Sequence, residues 1–194
     1  MAVDNQHLAA VFEEMLPALH AASLRYWVYG GVGVAGVVGE FFRHNDDVDI
    51  YVFEPDFAAA RDAVLTVCRS RSDSELVDRG PLPNGRPKFE VLSAGGKKDV
   101  LSVVPLYQIA EGIEYRGAKT PFTVPDALVE QQRQIGNYRF VSPPPQAIKR
   151  ILMNFLEERE PASWRKRRQD AERLFPDELA GIERRWTQGD RRRS

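Results

Sequence analysis

The stretch "YWVYGGVGVAGVVGEFFRHNDDVDIYV", residues 26–52, constrains this chain more than any other. An aromatic-rich apolar run ends in the glycine pair Gly30-Gly31. A spacer of 15 residues follows, then D-V-D-I, with Asp47 and Asp49 two apart inside a second apolar run. Alternate residues of a strand share a face, so Asp47, Asp49 and Tyr51 point one way and Val48, Ile50 and Val52 the other. The apolar face belongs on a core. The other face brings two carboxylates close together, and core strands avoid unpaired carboxylates because burying them is costly. Like charges that close raise each other's pKa unless a cation neutralises them. A hard divalent ion such as Mg²⁺ takes oxygen ligands and keeps positions for water and substrate phosphate. Glycines at 30 and 31 let backbone amides approach an anion, and a helix starting there adds the positive end of its dipole. The pattern predicts a site for a nucleoside triphosphate and its metal. Taken alone, a D-x-D beside a glycine turn also describes a solvent-facing strand edge.

The remaining composition bounds the answer. At 194 residues the chain forms one domain or two small ones and is long enough to bury a core. A formal net charge of −1 provides no global field for nucleic acid. The charge is uneven, however: residues 1–146 carry 14 Lys/Arg against 19 Asp/Glu, and residues 147–194 carry 13 against 9. A single cysteine, Cys68, excludes an internal disulfide and a cysteine zinc cluster, and it reads as a small buried apolar residue in a reducing compartment. His7, His20 and His44 lack zinc-ligand spacing. No apolar run reaches the ~18 residues of a membrane span, and the start MAVDNQHLAA lacks a signal pattern. The expectation is a cytoplasmic protein with no membrane partner.

Periodicity supplies the order of elements. Residues 5–23 have helical spacing, with Pro17 weakening the second half. "RYWVYGG" reads as a strand, 32–42 as a short helix, "DDVDIYVF" as a strand and 55–71 as a helix with Asp56 at its start. "KFEVLSAGGKKDVLSVVP" reads as two strands joined by a glycine turn, and "GIEYRGAKTPFTV" as another strand pair. Helices are expected at 125–135, 144–160, 163–175 and 176–187. "SPPPQ" at 142–146 is the seam between a mixed α/β half, 1–141, and a helical half, 142–194.

The combination of GG, spacer and D-V-D-I resembles the signature of the nucleotidyltransferase superfamily with the DNA polymerase beta type of active site. The resemblance covers about residues 24–105. It implies an α/β (α+β) fold, with a mixed-sheet core and a C-terminal helical subdomain. It also implies that Gly30 and Gly31 hold the triphosphate and that Asp47 and Asp49 bind Mg²⁺. The segment looks like the small lincosamide and aminoglycoside nucleotidyltransferases, including Arg43 four positions before Asp47, a candidate phosphate contact. It also looks like AbiEii-type toxins, whose MenT members modify tRNA. Many members carry a third carboxylate on a neighbouring strand. Asp99 fits that place as general base or metal ligand, or else pairs with Lys97 or Lys98; Glu90 is a weaker substitute.

The C-terminal half resembles the AbiEii arrangement. Carried across, Lys149 contacts the triphosphate, and Asp170 serves as base or positions the acceptor; the alternative is a solvated Lys166–Asp170 pair on a helix. Arg165, Lys166, Arg167, Arg168, Arg173, Arg184, Arg185 and Arg191 to Arg193 suit an RNA 3′ end, with Trp164, Trp186 and Tyr138 to stack bases, or else simply solvate helices. The reading reached is a Mg²⁺-dependent nucleotidyltransferase using an NTP, foremost an AbiEii/MenT-like toxin acting on tRNA, with a small antitoxin protein as partner. An antibiotic nucleotidyltransferase is the alternative. Outside catalysis, a nucleotide-binding or antitoxin-binding module remains.

Overall fold

In a computed structural model the described residues are 4–81, 87–93, 98–115, 122–123, 129–157 and 161–191. The central sheet is built from β1 (Tyr26–Tyr29), β2 (Val48–Phe53), β3 (Ser74–Pro81), β4 (Pro87–Ser93) and β5 (Asp99–Ile109), in the order β1-β2-β5-β4-β3. β2 and β5 run parallel, and the other pairings are antiparallel. The far end of β5 pairs with β6 (Gly112–Tyr115), which pairs with β7 (Phe122–Thr123). The sheet is therefore mixed, as expected, and the strand pairs read from 88–105 and 112–124 are present.

The N-terminal helix divides where Pro17 stands. A wide π turn at Val11–Met15 precedes α1 (Leu16–Ala21), which places Pro17 in its first turn. A proline has no N–H to give and crowds the turn before it, so the chain widens there and restarts. Then α2 (Gly30–Val38) follows β1 without a linker, and α3 (Phe57–Arg69) follows β2. The glycines of α2 cost helix propensity. Burial of Val32, Val34 and Ala35 offsets it.

One face of the sheet carries the main core. Val48, Ile50, Val52, Leu101 and Val103 pack there with Leu8, Leu16 and Leu19 before β1 and with Ala60 and Val64 of α3. The opposite face is aromatic: Trp27, Tyr29, Tyr51 and Phe53 meet Ala147 and Ile151 of α4 (Pro145–Glu157). Then α5 (Pro161–Leu174) and α6 (Pro176–Arg191) close a third cluster with α4 through Leu152, Leu156, Ala171, Leu179 and Ile182.

Two elements differ from the sequence reading. The helix expected at 125–135 is not formed where the chain is described. Residues 131–135 are β8 (Gln131–Ile135), in a hairpin with β9 (Tyr138–Ser142); 125–128 lie outside the described residues. Ile135 and Phe140 reach the main core, and this tertiary burial outweighs the helix propensity of a Gln-rich run. The edge strand β3 was also not anticipated.

Candidate active site

The end of β1, the start of β2 and the start of β5 meet at one edge of the sheet, because β1 runs against β2 and β5 runs with it. Tyr29 lies opposite Asp49, and Asp49 lies beside Ser102. Gly30 follows Tyr29 with φ +61°, a left-handed conformation that favours glycine. A Cβ at Gly30 would run into the Asp49 carboxylate, and one at Gly31 would run into the Arg43 guanidinium and the Asn45 amide. The glycine pair therefore does two things. It turns the chain straight from strand to helix, and it leaves room for the acids against the first turn of α2. The first amides of a helix lack partners within it.

Asp47 and Asp49 stand at this edge as the sequence suggested. Burial pushes the Asp47 carboxyl up to about 8, with the Asp49 and Asp99 charges adding to the effect. Burial raises Asp49 as well; the charges of Lys88 and Arg167 oppose that shift through space. Among the described residues neither acid is in an ion pair. Two half-buried carboxylates side by side, with oxygen donors only, suit a hard divalent cation. The Asn45 side chain is 2% exposed, and its Oδ1 accepts no hydrogen bond among the described residues. It faces the same cavity and adds a further oxygen. The residues thus fit Mg²⁺. No three His, Cys, Asp or Glu side chains among the described residues form a cage, so such an ion would lean on this pair and on substrate oxygens.

Asp99 reaches this neighbourhood through an irregularity that sequence reasoning missed. Along the β4–β5 ladder Val91 pairs with Leu101, yet the next residue, Leu92, pairs with Asp99. Val100 is the extra residue of a bulge. It goes into the main core beside Leu101, and the half-turn that this requires brings Asp99 to the side of Glu90 and Ser102. An unbulged strand would send Asp99 to the core face. Glu90 is committed elsewhere: Lys88 and Arg79 each donate to it at 2.5 Å. Burial alone would raise the Glu90 carboxyl; those two cations more than offset it and hold it below the usual range.

The helical half contributes differently from the expectation. Lys149 does not line the cavity. Its ammonium pairs with Glu178 and lies 5.5 Å from the Phe175 ring, on the side of α4 that packs toward α6. The apolar residues Ile148, Ile151, Leu152 and Phe155 take the cavity side of α4 instead. The cations that do line the cavity come from α5. Lys166 pairs with Asp46, and Arg167 lies 4.2 Å from the Phe155 ring. Asp170 is also at the cavity, 3% exposed, and both its oxygens accept from Arg43, at 2.6 and 2.8 Å. The solvated Lys166–Asp170 pair is thereby replaced by two pairs across to the loop before β2. The whole cavity, about 300 Å³, has an acidic end at Asp47 and Asp49 and an apolar wall of Val34, Tyr29, Tyr51 and α4.

Two of the residues proposed for base stacking, Tyr138 and Trp164, are employed in packing. Tyr138 stacks on Phe12 with ring centroids 4.5 Å apart, and Trp164 packs against the cluster of α4, α5 and α6. Arg168 pairs with Glu183 and Glu172, and Arg173 with Glu40. The side chains of Trp186 and Arg191, and all of Arg192 and Arg193, lie outside the described residues.

No family model matches the chain, and no curated protein is significantly similar to it. Solved structures are similar in fold. The solution structure of the antibiotic-resistance factor ANT(2'')-Ia matches with TM-score 0.62 at 15% identity, over 98% of each chain. A crystal structure of ANT(2")-Ia with adenylyl-2"-tobramycin gives TM-score 0.60 at 16% identity, over 94% of this chain and 99% of that one. The lincomycin-bound lincosamide adenylyltransferase LnuA gives 0.50 at 16% identity, over 77% and 85%.

Proposed function

From the nucleotidyltransferase fold that these structures share with the chain, we propose that it moves a nucleoside monophosphate from an NTP to a hydroxyl of a small acceptor, with Mg²⁺. The observation that carries this reading is the unpaired Asp47–Asp49 couple set against the glycine start of α2. The acceptor oxygen attacks the α-phosphorus in line, the bond to the bridging oxygen breaks, and pyrophosphate leaves. Asp47 and Asp49 hold the cation, which when bound neutralises charge on the transferring group. Amides at the start of α2 take the phosphates. Arg167, lining the cavity, supplies the positive charge first assigned to Lys149. Asp99, turned by its bulge, accepts the proton of the attacking hydroxyl.

Two features favour a small acceptor over tRNA. The similarity to ANT(2'')-Ia runs through the C-terminal helices as well as the sheet. Of the basic residues of α5, Arg167 faces inward and Lys166, Arg168 and Arg173 are paired with acids, which leaves Arg165 exposed. The test is incubation with each labelled NTP and Mg²⁺, with a panel of hydroxyl-bearing antibiotics in one arm and total tRNA in the other. Label on a small acceptor supports the proposal. Label on tRNA alone overturns the small-acceptor reading, and no transfer in either arm counts against catalysis.

A further inference from the structure

The loop between α2 and β2 is joined to α5 by three ion pairs in order. Glu40 meets Arg173 at 2.9 Å, Arg43 meets Asp170 at 2.6 Å, and Asp46 meets Lys166. The loop residues are three apart. Positions 166, 170 and 173 are spaced four and three apart, so they line one face of α5. The pairs run antiparallel, and their polarity alternates: acid to base, base to acid, acid to base. A slip by one position either way sets Glu40 against Asp170 and Arg43 against Lys166, or Arg43 against Arg173 and Asp46 against Asp170. Every slipped pairing sets like charges together, which is how an interface excludes wrong registers. The central pair is the sheltered one, its side chains 12% and 4% exposed. Its guanidinium also lies where a Cβ of Gly31 would be, so it touches the start of α2. Asp46, at the inner end of the row, immediately precedes Asp47.

We propose that this row is a charge-coded clasp that sets the register of the acidic loop against α5, and that Asp170 is a positioning residue acting through Arg43, not a proton acceptor. The kinetic part rests on the nucleotidyl-transfer reading above; the clasp itself does not.

The experiment is a double-mutant cycle on Arg43→Ala and Asp170→Ala, reading kcat, KM for the NTP and urea unfolding. Acting through Arg43, Asp170→Ala lowers kcat by about 10²-fold, the scale of a 1 Å misplacement, and costs nothing further in the Arg43→Ala background. A further loss of about 10²-fold or more in that background is the signature of a general base and overturns the positioning role. Unfolding reads the clasp without activity: non-additive losses support it, and additive losses overturn it. Coupled unfolding with no transfer by the wild type counts against the transfer reading and leaves the clasp standing. If the inner variants do not fold, the outer pair serves, since it lies away from the cavity. Glu40→Lys should lower kcat several-fold at low salt, less above about 0.1 M as screening sets in, and adding Arg173→Glu should restore it. No loss with Glu40→Lys, or no recovery in the double variant, overturns the clasp.

Discussion

On one face of β2, Val48, Ile50 and Val52 are fully buried among aliphatic side chains of the helices and neighbouring strands. On the other, Asp49, Tyr51 and Phe53 meet an aromatic cluster and the cavity. The two sets alternate along six residues. The first face is almost wholly hydrocarbon, with the Tyr26 hydroxyl beside Val52 as a polar exception. The second holds its carboxylates at the lip of a cavity, with Lys88 and Arg167 acting on Asp49 through space. The period of two lets a single strand anchor the fold and present charge without either demand compromising the other.

Adjacent residues separate the two faces most sharply. Asp49→Asn should reduce transfer by at least about 10²–10³-fold, the scale of losing one preorganised electrostatic contact at a transition state. It should leave unfolding no less cooperative, and the metal-free protein should be as stable or more so, because a repelling charge has gone. Ile50→Ala should do the reverse, costing about 2–5 kcal/mol of stability while the folded fraction keeps its turnover. Steady-state transfer and urea unfolding on both variants check this. Near-wild-type transfer by Asp49→Asn would erase the distinction between the faces.

A pH series sharpens the same comparison with a smaller effect. The folded pKa of Asp47, at about 8, exceeds its ordinary value of 3.8, so the folded state holds a proton that the unfolded chain releases. The stability contributed by that proton is full below about 4 and is lost as pH rises to about 8. In EDTA the wild type should therefore lose more stability between pH 5 and pH 9 than Asp47→Asn does. Adding Mg²⁺ at pH 9 should restore part of it. Equal slopes for the two proteins would mean that the acidic face carries no such penalty.

The smallest effect is expected at Lys149. Its pair with Glu178 is partly exposed, so Lys149→Ala should cost no more than about 1 kcal/mol and leave KM for the NTP within about twofold of wild type. A tenfold rise in KM would return Lys149 to the triphosphate role of the proposed reaction.

What could be read from sequence followed what is local. Gly30-Gly31 and D-V-D-I are short-range patterns whose geometry the strand period and the helix start dictate, and both came out where expected. The three C-terminal helices came from periodicity in the same way, whereas the mixed sheet was implied by the family resemblance. The bulge at Val100 could not be read, since it depends on the register against β4 rather than on residue type. The β8–β9 hairpin was missed because "EQQRQ" favours a helix. The signal was nearby in "QIGNYRF", where a Gly-Asn pair with Gly136 at φ +57° separates two alternating runs. The side of α4 that faces the cavity was set by α6, whose acid at Glu178 draws Lys149 away. Such choices lie in tertiary partners, which periodicity does not encode.

The parallel pairing of β2 with β5 has a consequence for the order of events during synthesis. Asp49 and Ser102 are neighbours in the sheet but roughly fifty residues apart in the chain, so joining them requires the closure of a long loop. Arg43 waits longer still, for Asp170, 127 positions away. A chain leaving the ribosome N-terminus first exposes its acidic strand early. The nascent protein holds these acids before it has the partners that organise them. The proposed transfer would then have to wait until α5 has emerged, and a truncated product ending before α5 should be inert even where its sheet has formed.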